Sequence, residues 1–486
     1  MRLLDTITFE LRTDRPEVFA KEGYAILSHR WRGAEVTFAE IGKHAANLKD
    51  MGQRRMASPQ LEKIRGACQI AREQGFKWLW IDNVCINKFS ATEETESINS
   101  MFRWYRDARI CITYLSDVRL DALSDRPGGD DIQKDQGLVM ESPPSAVGST
   151  RTDVFQSLAK DRPSEWFSRG WTLQELLAPK HMYFYDMDWN YIGAKSSLAR
   201  NIQEITGIDA DYITGVQDFR DACVAAKFSW MTGRTTEREE DMAYSMLGFF
   251  NITMAPIYGE GQRAFLRLQK ELLSTTQTTD ESMFAWRMPD PGARGAYSLE
   301  ESTETTWNSD EWGLLAPSPT WFHGCGNVTI KGGAVIERPL YAFKADRYGV
   351  MAPLMYLKEH KKYQKTMLLS VLFGAVIGAI PVLVHYSRKI DKQLMDGWQI
   401  PLNCWVKEED GELAAVVVWL SVLPETIRGR DGNQGPYPPY KAKRIRCTEL
   451  LQTRTYTKTG STRETMVLQP GLCFNEQPSS GIDQRQ

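Results

Sequence analysis

The chain has 486 residues, 42% of them hydrophobic and 25% charged, with a formal charge of −3, which is enough apolar material for two or three domains with cores of their own. The small negative charge, with no long basic run to offset it, excludes a nucleic acid as the expected main partner, because binding to a phosphate backbone rests on clustered Lys and Arg. Eight scattered cysteines without a close CxxC pair and six histidines unclustered in sequence suggest neither a disulfide framework nor a metal site, and MRLLDTITFELRTDRPE lacks the apolar core of a signal peptide, so a cytoplasmic protein is expected.

Short apolar runs then alternate with helical periodicity. Tyr24 to Ser28 (YAILS) reads as a strand, Leu61 to Arg72 as a helix with Ile64, Ala67, Cys68 and Ala71 on one face, and Trp78 to Asp82 (WLWID) as a second strand. Thr92 to Arg109 follows as a helix carrying Ile98, Met101, Phe102 and Tyr105, and Ile110 to Leu115 (ICITYL) as a third strand. Asp121 to Thr150, rich in Asp, Gly, Pro and Ser, marks a flexible insertion over 119–152 that lacks the apolar content to order itself. A helix at RGWTLQE and a strand at His181 to Tyr185 complete an α/β domain over residues 1–194, with a parallel sheet and helices on both faces.

Residues 195–286 read as a helical extension. Within it, Arg234 to Gly261 starts with Thr235 or Thr236 as the cap of a helix whose acidic first turn suits the helix dipole, and it reads as structural. From 287 to 476, short strands and Gly/Pro turns such as GLLAPSP, and the run Ala414 to Val422, predict a β-rich region, with a disordered tail at 477–486. Met367 to Tyr386 carries no acidic or fixed basic residue and has two readings: a membrane helix of about 20 residues, or a pair of buried strands turning near Gly374 or Gly378.

Ligands of open parallel sheets bind beyond the carboxyl ends of the strands. The first strand exits there into Ser28, His29, Arg30 and Trp31, and the second into Asp82 and Asn83. The segment Ser164 to Pro179, SEWFSRGWTLQELLAP, concentrates Trp166, Arg169, Trp171 and Glu175 in an otherwise apolar stretch. Glu175 has two readings: three residues after Thr172 it completes a capping box, or it places a carboxylate at a pocket mouth beside Trp166, Arg169 and Trp171. No GxxxxGK[ST], GxSxG, HExxH or GxGxxG motif is present to suggest other chemistry.

The strings RLLDT, YAILSHRW, WLWIDNVCINK, SINSMFRWYRDARICITYLSD, WFSRGWTLQELLAP and EEDMAYSMLGFFNITMAPIYGEG together resemble the fungal heterokaryon incompatibility (HET) domain family, from the N-terminus to about Trp286. The resemblance implies a protein of self/non-self recognition and programmed cell death. It also implies a fold similar to Toll/interleukin-1 receptor (TIR) domains, a flavodoxin-like sheet. WFSRGWTLQEL is similar to the catalytic-helix motif of TIR domains that hydrolyse NAD, with Glu175 at the glutamate. Thr172 stands where that motif often has cysteine, and Val84 and Asn87 depart from the HET string WIDxCCIDK. The implied chemistry is cleavage of the nicotinamide–ribose bond, with Glu175 catalytic and NAD held as substrate by Ser28, His29, Arg30, Trp31, Asp82, Arg169 and Trp171. No permanently bound cofactor or metal is implied. Self-association for activity, a recognition partner in trans and, through 367–386, a membrane complete the expected partners. The other reading is a non-catalytic module that assembles a cell-death complex.

Overall fold

The computed structural model describes residues 1–49, 58–120, 154–158, 162–275, 280–289, 308, 310–331, 343–345, 349–355, 398–408, 410–422, 440–447, 451–453 and 462–468. The chain opens on an antiparallel pair, β1 (Arg2–Asp5) and β2 (Leu11–Thr13), followed by α1 (Pro16–Glu22). The strand β3 (Ala25–His29) is buried along its whole length, as a central parallel strand must be. After α2 (Ile41–Lys49) comes α3 (Pro59–Glu73), whose start is fixed by Ser58 accepting from the Gln60 amide and by proline in the first turn. Next are β4 (Trp78–Trp80), α4 (Asp82–Cys85) and α5 (Ala91–Asp107), the last capped by Ser90 on the Glu93 amide. Then follow β5 (Ile110–Tyr114), a 3-10 turn at Glu165–Ser168, α6 (Thr172–Leu177), β6 (Met182–Tyr185) and β7 (Tyr191–Ala194).

These strands form a seven-stranded sheet in the order β2-β1-β4-β3-β5-β6-β7. Its centre, β4-β3-β5-β6, is parallel, whereas β1 joins β4 and β7 joins β6 in antiparallel fashion. The expected parallel sheet is therefore mixed. Its edges are made by short hairpins, which need no crossover helix and leave no helical periodicity to announce them. Numbered among themselves, the parallel strands run 2-1-3-4, the order with which flavodoxin-like sheets begin, and this order reverses direction between β3 and β5. The second strand is shorter than WLWID: pairing with β3 stops at Trp80, and the chain turns into α4 at Asp82.

Beyond the sheet the expected helical stretch is present as short helices: α7 (Ala199–Thr206), α8 (Ala210–Thr214), α9 (Val224–Ser229), α10 (Asp241–Tyr244) and α11 (Arg263–Thr275). Gly207 and Gly215, at φ 69° and 79°, end α7 and α8. No helix starts at Thr235 or Thr236. The Thr235 amide instead donates to the Ser168 carbonyl (2.7 Å), and the Gly170 amide to the Thr235 carbonyl (2.9 Å), so backbone pairing takes the groups a helix would have used.

The chain forms two compact units. One comprises Met1–Asp221, Arg234–Glu237 and Tyr244–Pro256, and the other Ala222–Gly233, Arg238–Ala243 and Ile257–Gln486. The second unit carries the expected β-rich part: β8 (Val328–Thr329), β9 (Lys344–Ala345), β10 (Gly349–Met355), β11 (Trp398–Lys407), β12 (Leu413–Val422), β13 (Tyr440–Ile445), β14 (Leu451–Thr453) and β15 (Thr462–Leu468) form an eight-stranded sheet. In its core the guanidinium of Arg444 lies 3.6 Å from the Trp286 ring centre, and its two terminal nitrogens donate to the carbonyls of Phe284 and Trp286, which offsets part of the cost of burying its charge. The expected insertion from 121 on, the 367–386 segment and the 477–486 tail lie outside the described residues. No helix among the described residues is long and apolar enough to cross a membrane.

Candidate active site

The site begins at the carboxyl end of β3. Ser28 is level with Thr113 of β5 and fully buried. Its hydroxyl donates to Glu175 Oε2 at 2.5 Å and accepts from the Trp166 indole N–H at 2.9 Å. Tyr105 of α5 donates to the Leu27 carbonyl at 3.1 Å and lies beside the same carboxyl. Three elements distant in sequence thus meet on one carboxyl group.

The helix that carries Glu175 is fixed at both ends. Beyond its C-terminus, the Lys195 ammonium donates to the carbonyls of Leu176 (3.1 Å) and Pro179 (2.6 Å), the favourable place for a cation on a helix. At its start, Arg234 Nη1 donates to the Arg169 carbonyl (2.9 Å) and to Thr172 Oγ1 (3.1 Å). The capping box is not formed. Trp171 occupies the N-cap position, and the Thr172 hydroxyl lies inside the helix, 2.6 Å from the Trp166 carbonyl and 2.8 Å from that of Arg169. Glu175 is left to face the sheet.

Only 8% of Glu175 is exposed, and burial pushes its pKa up to about 8. The Ser28 hydrogen bond works against that rise, the Asp82 charge adds to it and the Arg169 charge opposes it. Burial also lowers Arg234 to about 10, and the neighbouring Glu175 pulls it back up. A carboxyl poised near neutrality between a hydroxyl, a phenol and a guanidinium can change protonation state at physiological pH and can stabilise positive charge when ionised.

A second group lies at the same edge. Trp31 donates its indole N–H to Asp82 Oδ2 at 2.9 Å, and the Lys88 ammonium sits 3.5 Å from the Trp31 ring centre. His29, whose side chain is 1% exposed, places Nε2 3.8 Å from Asp82 Oδ1. Burial first, then the charges of Lys63, Arg169 and Lys88, hold the His29 pKa well below the usual range, so this imidazole is neutral. Lys63 is itself buried against Glu35, both oxygens at 2.7 Å.

The structure therefore pairs Ser28 with Glu175, and Trp31 and His29 with Asp82. Arg30 is engaged by Glu165, which also takes Arg32 at 3.4 Å and Arg162 at 2.9 Å. Among the described residues the Arg169 side chain makes a long ion-pair contact, 3.5 Å, to the exposed Glu237, and Trp171 is half-buried. Trp166, read in the sequence as a pocket wall, is instead a direct partner of Ser28. Tyr105 and Arg234 were missed as site residues: Tyr105 fits the apolar face of its helix, and Arg234 stands in a polar run that reads as a helix start. Among the described residues no group of three or more His, Cys, Asp or Glu side chains could hold a metal ion.

Residues 24–175 match the family model described as heterokaryon incompatibility protein (HET), a match that begins one residue before β3 and ends on Glu175. The chain is also similar to the vegetative incompatibility protein HET-E-1 of Podospora anserina, with 38% identity over 251 residues, which is 51% of this chain and 16% of that protein. This chain thus spans a small part of that relative. No solved structure matches. The family match covers the segment that supplies Ser28, His29, Asp82 and Glu175, so it is this segment, residues 24–175, that is similar to the heterokaryon incompatibility (HET) domain.

Proposed function

We propose that this chain is a cell-death effector of vegetative incompatibility whose HET domain, TIR-like in fold, hydrolyses NAD at the nicotinamide–ribose bond. In this reading it acts when self-associated, in answer to a recognition partner in trans. The observation that carries the reading is the buried Glu175 carboxyl on the Ser28 hydroxyl, 2.5 Å away, at the strand end where a doubly wound sheet binds its ligand.

The chemistry suits such a group. As the C1′–N bond breaks, its electron pair passes to the nicotinamide nitrogen, which leaves neutral and needs no acid. The ribose becomes oxocarbenium-like, and an ionised Glu175 stabilises that charge. Water then adds to C1′, giving ADP-ribose and a proton. The substrate's own positive charge on the nicotinamide ring favours the ionised carboxylate on binding. Trp31 and Trp171 offer indole faces for stacking, and Arg169, weakly held in this structure, is the freer of the two candidate pyrophosphate ligands.

The competing reading, a non-catalytic module that assembles a cell-death complex, finds support in the near-complete burial of Glu175. Expression of the full chain in fungal cells separates the two. With Glu175→Gln, shown to be folded by circular dichroism, toxicity disappears if the carboxylate does chemistry. Toxicity that survives the change assigns Glu175 to structure and favours the module.

A further inference from the structure

His29 Nε2 and Asp82 Oδ1 face each other at 3.8 Å, beyond the 2.7–3.2 Å of an N–H···O hydrogen bond. Both atoms are buried, and neither has a hydrogen-bond partner among the described residues. Leaving a buried donor and a buried acceptor unmade is unfavourable, so the pair calls for an explanation. Neither side chain is free to drift. His29 is the last residue of β3, paired with Tyr114, and the other oxygen of Asp82 is held by the Trp31 indole.

The chemistry of the gap is selective. The facing carboxylate favours the imidazole tautomer with its proton on Nε2, so the gap presents one donor and one acceptor. A carbonyl oxygen would be repelled by Asp82, and an ammonium would find no acceptor on the imidazole. A hydroxyl, which accepts from Nε2–H and donates to Oδ1, satisfies both. Successive strand residues face opposite sides of a sheet, so His29 and Ser28 look to different sides of the β3 tip. A ligand long enough to lie across the carboxyl edge spans both sides.

We propose that His29 and Asp82 form a subsite for one ribose hydroxyl of a dinucleotide whose other end lies at Glu175. The inference rests on the reading of the Glu175 centre as an NAD site. The subsite fixes the ligand by a hydroxyl that the reaction does not consume, so His29 and Asp82 are positioning residues.

The test is a competition titration on the full chain. Radiolabelled carba-NAD, which cannot be hydrolysed, is displaced by NAD analogues that each lack one ribose hydroxyl, with retained label as the readout. The expected result is that one analogue competes about tenfold or more weakly than its parent, the scale of one buried hydrogen bond. In a folded His29→Phe protein that gap closes to about threefold or less, and Asp82→Asn narrows it too. Equal competition by every analogue with the unsubstituted chain overturns the subsite without any variant, and so does a gap that persists in His29→Phe. Nicotinamide release from NAD is measured in parallel. Release without hydroxyl discrimination removes the subsite and leaves the reading of Glu175, whereas discrimination without release keeps the subsite and removes hydrolysis. Failure of carba-NAD to bind, together with no release, removes both.

Discussion

A carboxyl group buried away from water keeps its proton longer than one in solution, and Glu175, raised from 4.5 to about 8, turns that into a dependence of stability on pH. Between these two values the folded protein holds a proton that the unfolded chain has lost, so stability falls as pH rises from about 4.5 to about 8 and levels off above. Each pH unit is worth ~1.4 kcal/mol at most. Urea denaturation of the full chain and of Glu175→Gln at pH 5 and pH 8.5 measures it: the original chain should lose more stability over that interval than the variant, and parallel losses would mean that Glu175 does not titrate there. Ser28→Ala acts on two partners. It removes a bond that lowers the Glu175 pKa, so the pH at which stability levels off moves up. It also leaves the Trp166 indole N–H without its acceptor, at a cost of about 1–3 kcal/mol readable in the same titrations. At this scale the sequence disclosed Glu175, Ser28 and Asp82, because they stand at strand tips or in a segment too polar for a plain core helix. It did not disclose Tyr105 and Arg234, because a phenol on an apolar helix face and an arginine in a polar run look the same whether or not they point at a carboxyl.

Among the elements, the parallel strands and the helices between them were legible because burial on both faces writes continuous apolar runs and helix packing writes a 3.6-residue period. The edge strands β2 and β7 were not, being three and four residues long and only partly buried. The capping box failed as a reading for a related reason: its spacing is local, whereas the partner Glu175 takes comes from β3. Close packing between elements gives a direct test. A Cβ on Gly248, in the 3-10 turn Leu247–Phe250, would lie 2.2 Å from Phe102 Cβ on α5, an atom that no side-chain rotation can move away. Gly248→Ala should therefore cost about 1–3 kcal/mol or more. A Cβ on Gly42, within α2, meets nothing within 4 Å, so Gly42→Ala should stabilise by about 0.4–1 kcal/mol through the unfolded chain. Thermal denaturation of the two variants reads opposite signs if the packing is as described, and a neutral Gly248→Ala would place α5 and that turn farther apart.

For the molecule as a whole, the division into a mixed α/β unit and a β-rich unit follows from the change of pattern near the middle of the chain, although the exchange of short segments between the units has no counterpart in composition. If self-association activates the proposed hydrolysis, specific activity should rise with protein concentration rather than stay constant; initial rates over a hundredfold dilution series, set beside sedimentation of the same samples, test this, and a flat specific activity would make a single copy sufficient. The claim on which the account turns is that the Glu175 carboxylate cleaves NAD. The most direct measurement is nicotinamide release from NAD by the full chain at high concentration, beside a folded Glu175→Ala protein. Release should rise with pH toward about 8, as the carboxyl ionises, and be absent from the variant. No release from the folded, associated chain, or equal release from the variant, would contradict it.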